Sequence, residues 1–201
     1  MNKSVVSESN SDIRKHLSAW LLFATKEEIK EGIEWYKDAQ DFCKYLSEKY
    51  DISVYVAATV VSCLSPNNKW ARNKLDAENL ILYFLKGRKL EDLKVCTYNN
   101  NKAKAWRAME GEIISEKAPK THAFAMNVGL LSSEHITIDK WHLRACLTKP
   151  SDGIVKCTES CTIIQYRRIE HITAQIAKDN NLKGYELQAI IWVTIKQKWN
   201  R

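Results

Sequence analysis

Helix-breaking residues are scarce in this chain, and their scarcity limits the possible folds more than any other feature of the sequence. Only 6 glycines and 3 prolines are spread over 201 residues, and the stretches between them are rich in helix-favouring residues. Sandwiches and barrels need frequent tight turns, in which glycine and proline are the usual residues. The sequence therefore predicts an all-α fold, with enough apolar residues for one sizeable core or for two small lobes.

The N-terminal stretch MNKSVVSESNSD is polar, and it predicts a flexible tail over residues 1–10. It lacks the roughly seven consecutive apolar residues of a signal peptide, and no later run approaches the roughly 18 that cross a bilayer. We therefore expect a cytoplasmic protein that does not bind membranes. In that compartment its six cysteines should be reduced thiols, several of them small core residues.

Basic residues outnumber acidic residues by 31 to 24, which gives a net charge of +7. The excess is scattered along the chain instead of forming a basic tail. A scattered positive charge on a folded surface favours a polyanionic partner such as DNA, although many proteins are this basic without a specific reason.

Local signals predict where several helices begin and end. Thr25 and Glu28 form a capping box, and the helically spaced apolar residues after them predict a long helix. The apolar stretch from Val54 to Leu64 predicts a buried helix, which must end near Pro66 because the residue before proline is disfavoured in the α region. Asn68 is the expected cap of the following helix.

A helix-hairpin-helix pattern follows in the second half of the chain. One short helix is predicted from near Asn100, and Pro119 suits the first position of the next helix. A loop then leads to Asp139, which directly precedes a further helix. Two final helices are predicted at about 158–180 and 185–199.

Three stretches resemble the helix-hairpin-helix DNA glycosylase superfamily, which includes endonuclease III. LSPNNKWARNK is similar to the first loop and the helix after it, PKTHAFAMNV to the second hairpin helix, and TIDKWHLR to the segment that carries the catalytic aspartate. The ending YELQAIIWVTIK resembles a branch that is common in phage genomes. The resemblance covers roughly residues 50–195.

This resemblance implies a two-lobed glycosylase-like fold. Its first lobe would contain the middle helices, about 51–131, and its second the terminal helices, about 11–50 and 139–201. DNA would be held across the cleft between the lobes, and we expect a monomer.

The sequence departs from the superfamily at the hairpin and near the C-terminus. Two hairpin glycines of the superfamily correspond to Glu116 and Ala118, which puts close approach of the backbone to a phosphate in doubt. The superfamily's iron–sulfur cluster needs four cysteines, whereas only Cys146, Cys157 and Cys161 occur here. We therefore expect no metal and no cofactor; a zinc site made by these thiols with His142 is the alternative.

Asp139 is the candidate catalytic residue. Cleavage of an N-glycosidic bond develops positive charge on the sugar, which a nearby carboxylate stabilises while it activates water. The resemblance assigns this role to Asp139. The same carboxylate is also in position to cap the helix that follows, and one residue can do both.

Lys120 corresponds to the lysine that forms a Schiff base in those glycosylases that also have AP-lyase activity. An amine whose pKa is lowered in a semi-buried site can attack the sugar and permit strand cleavage. A lysine at the start of this helix is equally suited to contact a phosphate. Both interpretations of Lys120 stay open.

A glycosylase must extrude its target base and fill the gap that the base leaves. Asn67 and Asn68 resemble the superfamily's intercalating loop, with Asn67 the better wedge. Trp141 and His142 follow Asp139 and would border the base pocket, although a tryptophan is more often a core residue. The candidate phosphate contacts, taken as a group, are Lys69, Lys74, Lys102, Lys104, Arg107 and Lys140, and Arg144 is a further candidate DNA-binding residue.

The sequence thus predicts a phage-type DNA glycosylase that excises a modified or damaged base, such as a modified pyrimidine. Associated AP-lyase activity depends on Lys120. The alternatives are an enzyme that modifies an activated thymine in phage DNA and a non-catalytic DNA-binding module on the same scaffold.

Overall fold

The computed structural model describes residues 3–130, 132–152 and 157–199. Over these residues it contains nine α-helices, a one-turn 3-10 helix at Leu90–Asp92 and no β-strand, which confirms the all-α prediction. The helices are α1 (Asn10–Phe23), α2 (Lys26–Tyr50), α3 (Val54–Leu64), α4 (Trp70–Leu85), α5 (Asn99–Met109), α6 (Pro119–Val128), α7 (Lys140–Ala145), α8 (Ile163–Asp179) and α9 (Gly184–Trp199). None of them is both long enough and apolar enough to span a membrane.

Several helices begin where local signals predict. The Thr25 hydroxyl accepts a hydrogen bond from the Glu28 amide at 3.2 Å, and the Glu28 carboxylate accepts one from the Thr25 amide at 2.8 Å. This is the predicted capping box at the start of α2. The predicted bounds of α3 are confirmed, and α6 begins at Pro119.

Residues 3–9 do not form the predicted flexible tail. Val5 is only 1% exposed and belongs to a hydrophobic core. The Lys3 ammonium donates to the carbonyl of Leu147 at 3.0 Å, and the Arg168 guanidinium donates to the carbonyl of Glu8. The tail prediction is wrong because these partners lie more than 140 residues away in sequence and leave no local signal.

The chain divides into two compact units. Unit 1 contains residues 1–37 and 133–201, and unit 2 contains residues 38–132. The division falls inside α2, whereas the sequence suggested a boundary near residue 50.

In unit 1, helices α1, α7, α8 and α9 pack around one hydrophobic core. The first part of α2 approaches α9 very closely at Gly32. A Cβ atom added to Gly32 would lie 2.6 Å from the backbone of Ile190, a distance that no side chain tolerates without movement of a helix. Glycine is therefore required here because of the close packing of α2 against α9, and not because of a left-handed backbone conformation.

In unit 2, α3 is the central helix and packs against α4, α5 and α6. Every residue from Ala57 to Leu64 is buried, which agrees with the apolar stretch in the sequence. Polar side chains are buried beside it as well. The Asn73 amide, for example, donates to the carbonyl of Val61 at 3.1 Å and so links α4 to α3.

Candidate functional site

Asp139 lies at the N-terminus of α7, in extended backbone conformation. One of its carboxylate oxygens accepts a hydrogen bond from the His142 amide at 2.9 Å, so Asp139 caps the helix as expected. Its side chain is half-buried. The cap fixes the carboxylate at a defined place at the start of α7, and this does not conflict with a chemical role.

The backbone immediately before Asp139 is held by side chains of α8. The Tyr166 hydroxyl donates to the carbonyl of Ile136 at 2.7 Å and accepts from the amide of Ile138 at 3.0 Å. The Glu170 carboxylate accepts from the amide of Ile136 at 2.9 Å. All of these residues are buried. The approach to Asp139 is therefore part of the core of unit 1.

A second tyrosine contacts the same segment from α2. The buried Tyr36 hydroxyl donates to the side-chain amide oxygen Oε1 of Gln188 at 3.1 Å and lies 3.4 Å from the Thr137 hydroxyl. Burial raises the pKa of Tyr36, and the negative charge of Asp139 raises that pKa further. The Asp139 carboxylate is thus close enough to act electrostatically on this phenol, which stays neutral.

His142 does not occupy the predicted position beside a base pocket. Its side chain is enclosed in the core, 1% exposed, with Nε2 3.0 Å from the Thr173 hydroxyl. Burial lowers the pKa of His142 to about 3, so the ring is neutral at ordinary pH. The prediction is wrong because the His142 ring points from the first turn of α7 into the core of unit 1.

Trp141 and Arg144 of α7 form a half-buried cluster with Trp199 at the end of α9. The Trp141 and Trp199 ring centroids are 5.9 Å apart, and the Arg144 guanidinium lies over both rings. Arg144 also pairs with Glu159. Lys140 is exposed, with its ammonium 5.8 Å from the Trp141 ring. Lys140 is therefore the more accessible of the two cations.

In unit 2, the turn between α3 and α4 presents Asn67. Asn67 is exposed, has a left-handed φ of 56°, and donates through its amide to the Tyr98 hydroxyl at 2.6 Å. Asn68 instead donates to the carbonyl of Leu64 and, at 3.0 Å, to the carboxylate of Asp76. The predicted Asn68 cap is wrong, because the N-cap of α4 is Lys69, whose side chain makes no capping bond.

A buried carboxylate holds this turn in place. Asp76 is fully buried and accepts hydrogen bonds from the Arg72 guanidinium and from the Cys96 amide, both at 2.7 Å. The turn is thereby tied to the segment that carries Tyr98, whose side chain is 63% exposed. The sequence did not predict Tyr98 as a candidate functional residue, because it is a single aromatic residue before a polar helix and matches no motif.

The predicted phosphate contacts of α4 differ in exposure. Lys69 is exposed at the start of the helix. Lys74 is half-buried, lies 3.3 Å from the Asp38 carboxylate, and stacks over the Trp70 ring. The Lys74 ammonium is therefore already paired with a carboxylate and an aromatic ring of unit 2.

Lys120 is exposed in the first turn of α6. Its neighbour Thr121 accepts, through its carbonyl, a 2.6 Å hydrogen bond from the Ser62 hydroxyl. Because Ser62 lies in the last turn of α3, the start of α6 and the helix that leads to Asn67 are joined. Lys120 and the Asn67 turn thus belong to one connected region of unit 2.

The hairpin turn is built without glycine at the two positions noted in the sequence. Glu116 is exposed, and Ala118 has a φ of −106°, which any residue adopts. A left-handed φ of 96° occurs earlier, at Gly111. The backbone of this turn therefore does not need glycine at residues 116 and 118.

The six cysteines, all within the described part of the chain, are free thiols. Burial raises the pKa of Cys43 to about 12 and that of Cys63 to about 11, so both stay protonated. Among the described residues, no three His, Cys, Asp or Glu side chains are grouped so as to hold a metal ion. The proposed zinc alternative with His142 therefore has no geometric support in this part of the chain.

Comparison with known proteins gives one match. The model of DUF7178, described as a family of unknown function, matches residues 1–199, so the chain belongs to that family. No curated protein and no solved structure matches it.

Proposed function

We propose that this member of the DUF7178 family is a DNA N-glycosylase that excises a modified or damaged base. The proposal combines the resemblance of TIDKWHLR to the catalytic segment of helix-hairpin-helix glycosylases with the environment of Asp139 in unit 1. A modified pyrimidine is the substrate class that the phage-type ending of the chain favours.

The observation that carries the proposal is the way in which Asp139 is held. Its carboxylate is half-buried and fixed by the His142 amide, and the backbone before it is fastened to Tyr166 and Glu170. The cap and the buried approach together hold the carboxylate in one place. Rigid placement is what stabilisation of a developing charge requires.

The proposed reaction breaks the bond between C1′ of the sugar and the base. The bonding electrons leave with the base, and the sugar becomes cationic. The Asp139 carboxylate stabilises this cation and takes a proton from the attacking water, whose oxygen bonds to C1′. The departing base anion takes up a proton from solvent, and Asp139 returns its proton to solvent. The products are a free base and an abasic site, and no cofactor is needed.

Unit 2 offers residues for contact with DNA. Asn67 is exposed on a turn that Asp76 braces from within, which suits a side chain that must enter the base stack without collapsing. Tyr98 lies next to it with an accessible aromatic ring. Lys69 and Lys120 are exposed cations of the same unit.

We assign Lys120 to phosphate binding, which makes the enzyme monofunctional. A lysine that forms a Schiff base needs a site that favours its neutral amine, usually by burial. Lys120 is exposed in the first turn of a helix, where an anion is the favoured neighbour. A DNA phosphate supplies that anion.

The test is product analysis with purified protein. Duplexes that carry natural, damaged and phage-type modified pyrimidines are incubated with the wild type, and released bases and abasic sites are measured by mass spectrometry. Release of a free base from at least one modified duplex supports the proposal. An altered base that stays attached would indicate a modifying enzyme, and binding without product would indicate a DNA-binding module; either result overturns it.

The control variant is Asp179→Asn. Asp179 is an exposed residue of unit 1 that pairs with Arg14, so this change removes the same charge as Asp139→Asn at a different place. Wild-type and Asp179→Asn proteins should release base equally, while Asp139→Asn should not. Equal loss in both variants would mean that net charge, and not the position of Asp139, controls activity.

A further inference from the structure

The segment from Ile136 to Ile138 is deeply buried and belongs to no helix, yet no β-strand lies beside it within the described residues. Buried backbone amides and carbonyls must be paired, and most of them pair with the backbone of a helix or of a neighbouring strand. Here side chains of α8 supply partners instead, and the Glu170 carboxylate accepts from the amide of Ile136 at 2.9 Å. The Tyr166 hydroxyl bridges the carbonyl of Ile136 and the amide of Ile138 at 2.7 and 3.0 Å.

This bridge acts on the two peptide groups on either side of Thr137, two residues before the candidate carboxylate. It sets the direction in which the chain enters α7, and therefore the direction in which the side chain of Asp139 leaves the helix. Tyr166 is itself fixed by packing, since it is 3% exposed within the core of unit 1. The start of α9 confines the segment from another side, because a Cβ atom on Gly184 would lie 2.6 Å from the Ile136 side chain.

We propose that Tyr166 is a positioning residue for Asp139. Its hydroxyl does not reach the substrate; it holds the backbone whose geometry aims the carboxylate. The proposal rests on the proposed glycosylase function for its kinetic consequence. Its structural consequence, the fixed position of the Asp139 cap, is independent of any activity.

The test variant is Tyr166→Phe, which removes one oxygen and keeps the ring. The matched control is Trp20→Phe. Trp20 belongs to the same core and donates a buried hydrogen bond to the carbonyl of Thr148 at 2.8 Å. Tyr166→Phe loses two buried side chain–backbone hydrogen bonds and Trp20→Phe loses one, but only Tyr166→Phe releases the approach to Asp139.

The kinetic measurement is base release, corrected for the folded fraction of each protein. We expect kcat of Tyr166→Phe to fall about 10- to 100-fold with KM within about twofold, since misplacement of a catalytic group by about 1 Å costs a factor of this order. Trp20→Phe should keep the wild-type kcat. An unchanged kcat in Tyr166→Phe, or an equal fall in both variants, would overturn the positioning role while leaving the glycosylase proposal intact.

The second measurement uses no substrate. The His142 amide donates to the Asp139 carboxylate, so its hydrogen exchange reports the position of that carboxylate. Its exchange should be at least about tenfold faster in Tyr166→Phe than in wild type, and unchanged in Trp20→Phe. If the wild type releases no base, the glycosylase proposal fails and this measurement alone decides: equal exchange in all three proteins would overturn the inference.

Discussion

Replacement of Asp139 separates its capping role from its proposed chemical role. Asparagine caps helices as well as aspartate does, because its amide oxygen accepts the same backbone hydrogen bond. Asp139→Asn should therefore keep the 2.9 Å bond from the His142 amide and change the free energy of unfolding by only a few tenths of a kcal/mol. Asp139→Ala loses the bond and should cost about 1 kcal/mol.

The two substitutions should have similar effects on chemistry. Neither side chain carries the negative charge that stabilises the sugar cation or takes the proton of water. We expect base release to fall about 10²- to 10⁴-fold in both, the range for loss of a general base. The predicted pattern is thus one stable and inactive protein and one destabilised and inactive protein.

The assays are thermal unfolding by calorimetry and single-turnover base release. For a chain of this size, 1 kcal/mol corresponds to about 2–4 °C in Tm, which separates the alanine variant from the asparagine variant. Asp139→Asn that releases base within about tenfold of wild type would refute the chemical role. Asp139→Asn that unfolds as early as Asp139→Ala would refute the capping argument.

Three further predictions follow from burial, charge and close packing. The pKa of His142 in the folded protein, about 3, lies below its ordinary value of 6.5. The neutral ring therefore contributes its full stabilisation above about pH 6.5, and this stabilisation is lost as the pH falls toward 3. Urea titrations should show that the free energy of unfolding falls by about 2 kcal/mol between pH 6.5 and 5 in the wild type but not in His142→Gln. Borohydride should not trap the wild-type protein on DNA. Lys120→Gln should reduce the slope of log Kd against log salt by about 1, because one phosphate contact is lost. Trapping of the wild type that disappears in Lys120→Gln would show instead that Lys120 is the nucleophile. Gly32→Ala should destabilise the protein by about 2 kcal/mol or more, because its Cβ would overlap the backbone of Ile190; a Tm within about 2 °C of wild type would contradict that packing.

Features that depend on neighbouring residues could be predicted from the sequence. The capping box of Thr25 and Glu28, the bounds of α3 and the start of α6 at Pro119 are all confirmed. Each is set by hydrogen bonds or backbone preferences within about four residues, and such preferences can be identified without knowledge of the fold.

Features that depend on distant partners could not be predicted. Asn68 has the residue type of a helix cap, but the buried Asp76 carboxylate draws its side chain away. Residues 3–9 are polar enough for a tail, but Arg168 and the core hold them. Buried polar partners of this kind compete with local preference and leave no periodic signal in the sequence.

The residues of the candidate site also fall into those that local sequence predicts and those that depend on distant partners. Asp139 and its cap were predictable, since an acid directly before a helix is a local pattern. Tyr166 was not, because it stands 28 residues beyond Ile138 and its own helix gives no reason to single it out. His142 was predicted beside the site and lies in the core instead, since spacing alone does not tell on which side of the short helix α7 a ring is buried.

The most direct test of the central claim is a crystal structure of the wild-type protein bound to a duplex with an abasic-site analogue. The measured quantity is the distance from the Asp139 carboxylate to C1′ of the extruded sugar. We predict about 3–3.5 Å, the separation at which a carboxylate stabilises a developing cation or aligns an attacking water. A sugar bound elsewhere, with Asp139 facing no part of the DNA, would contradict the account.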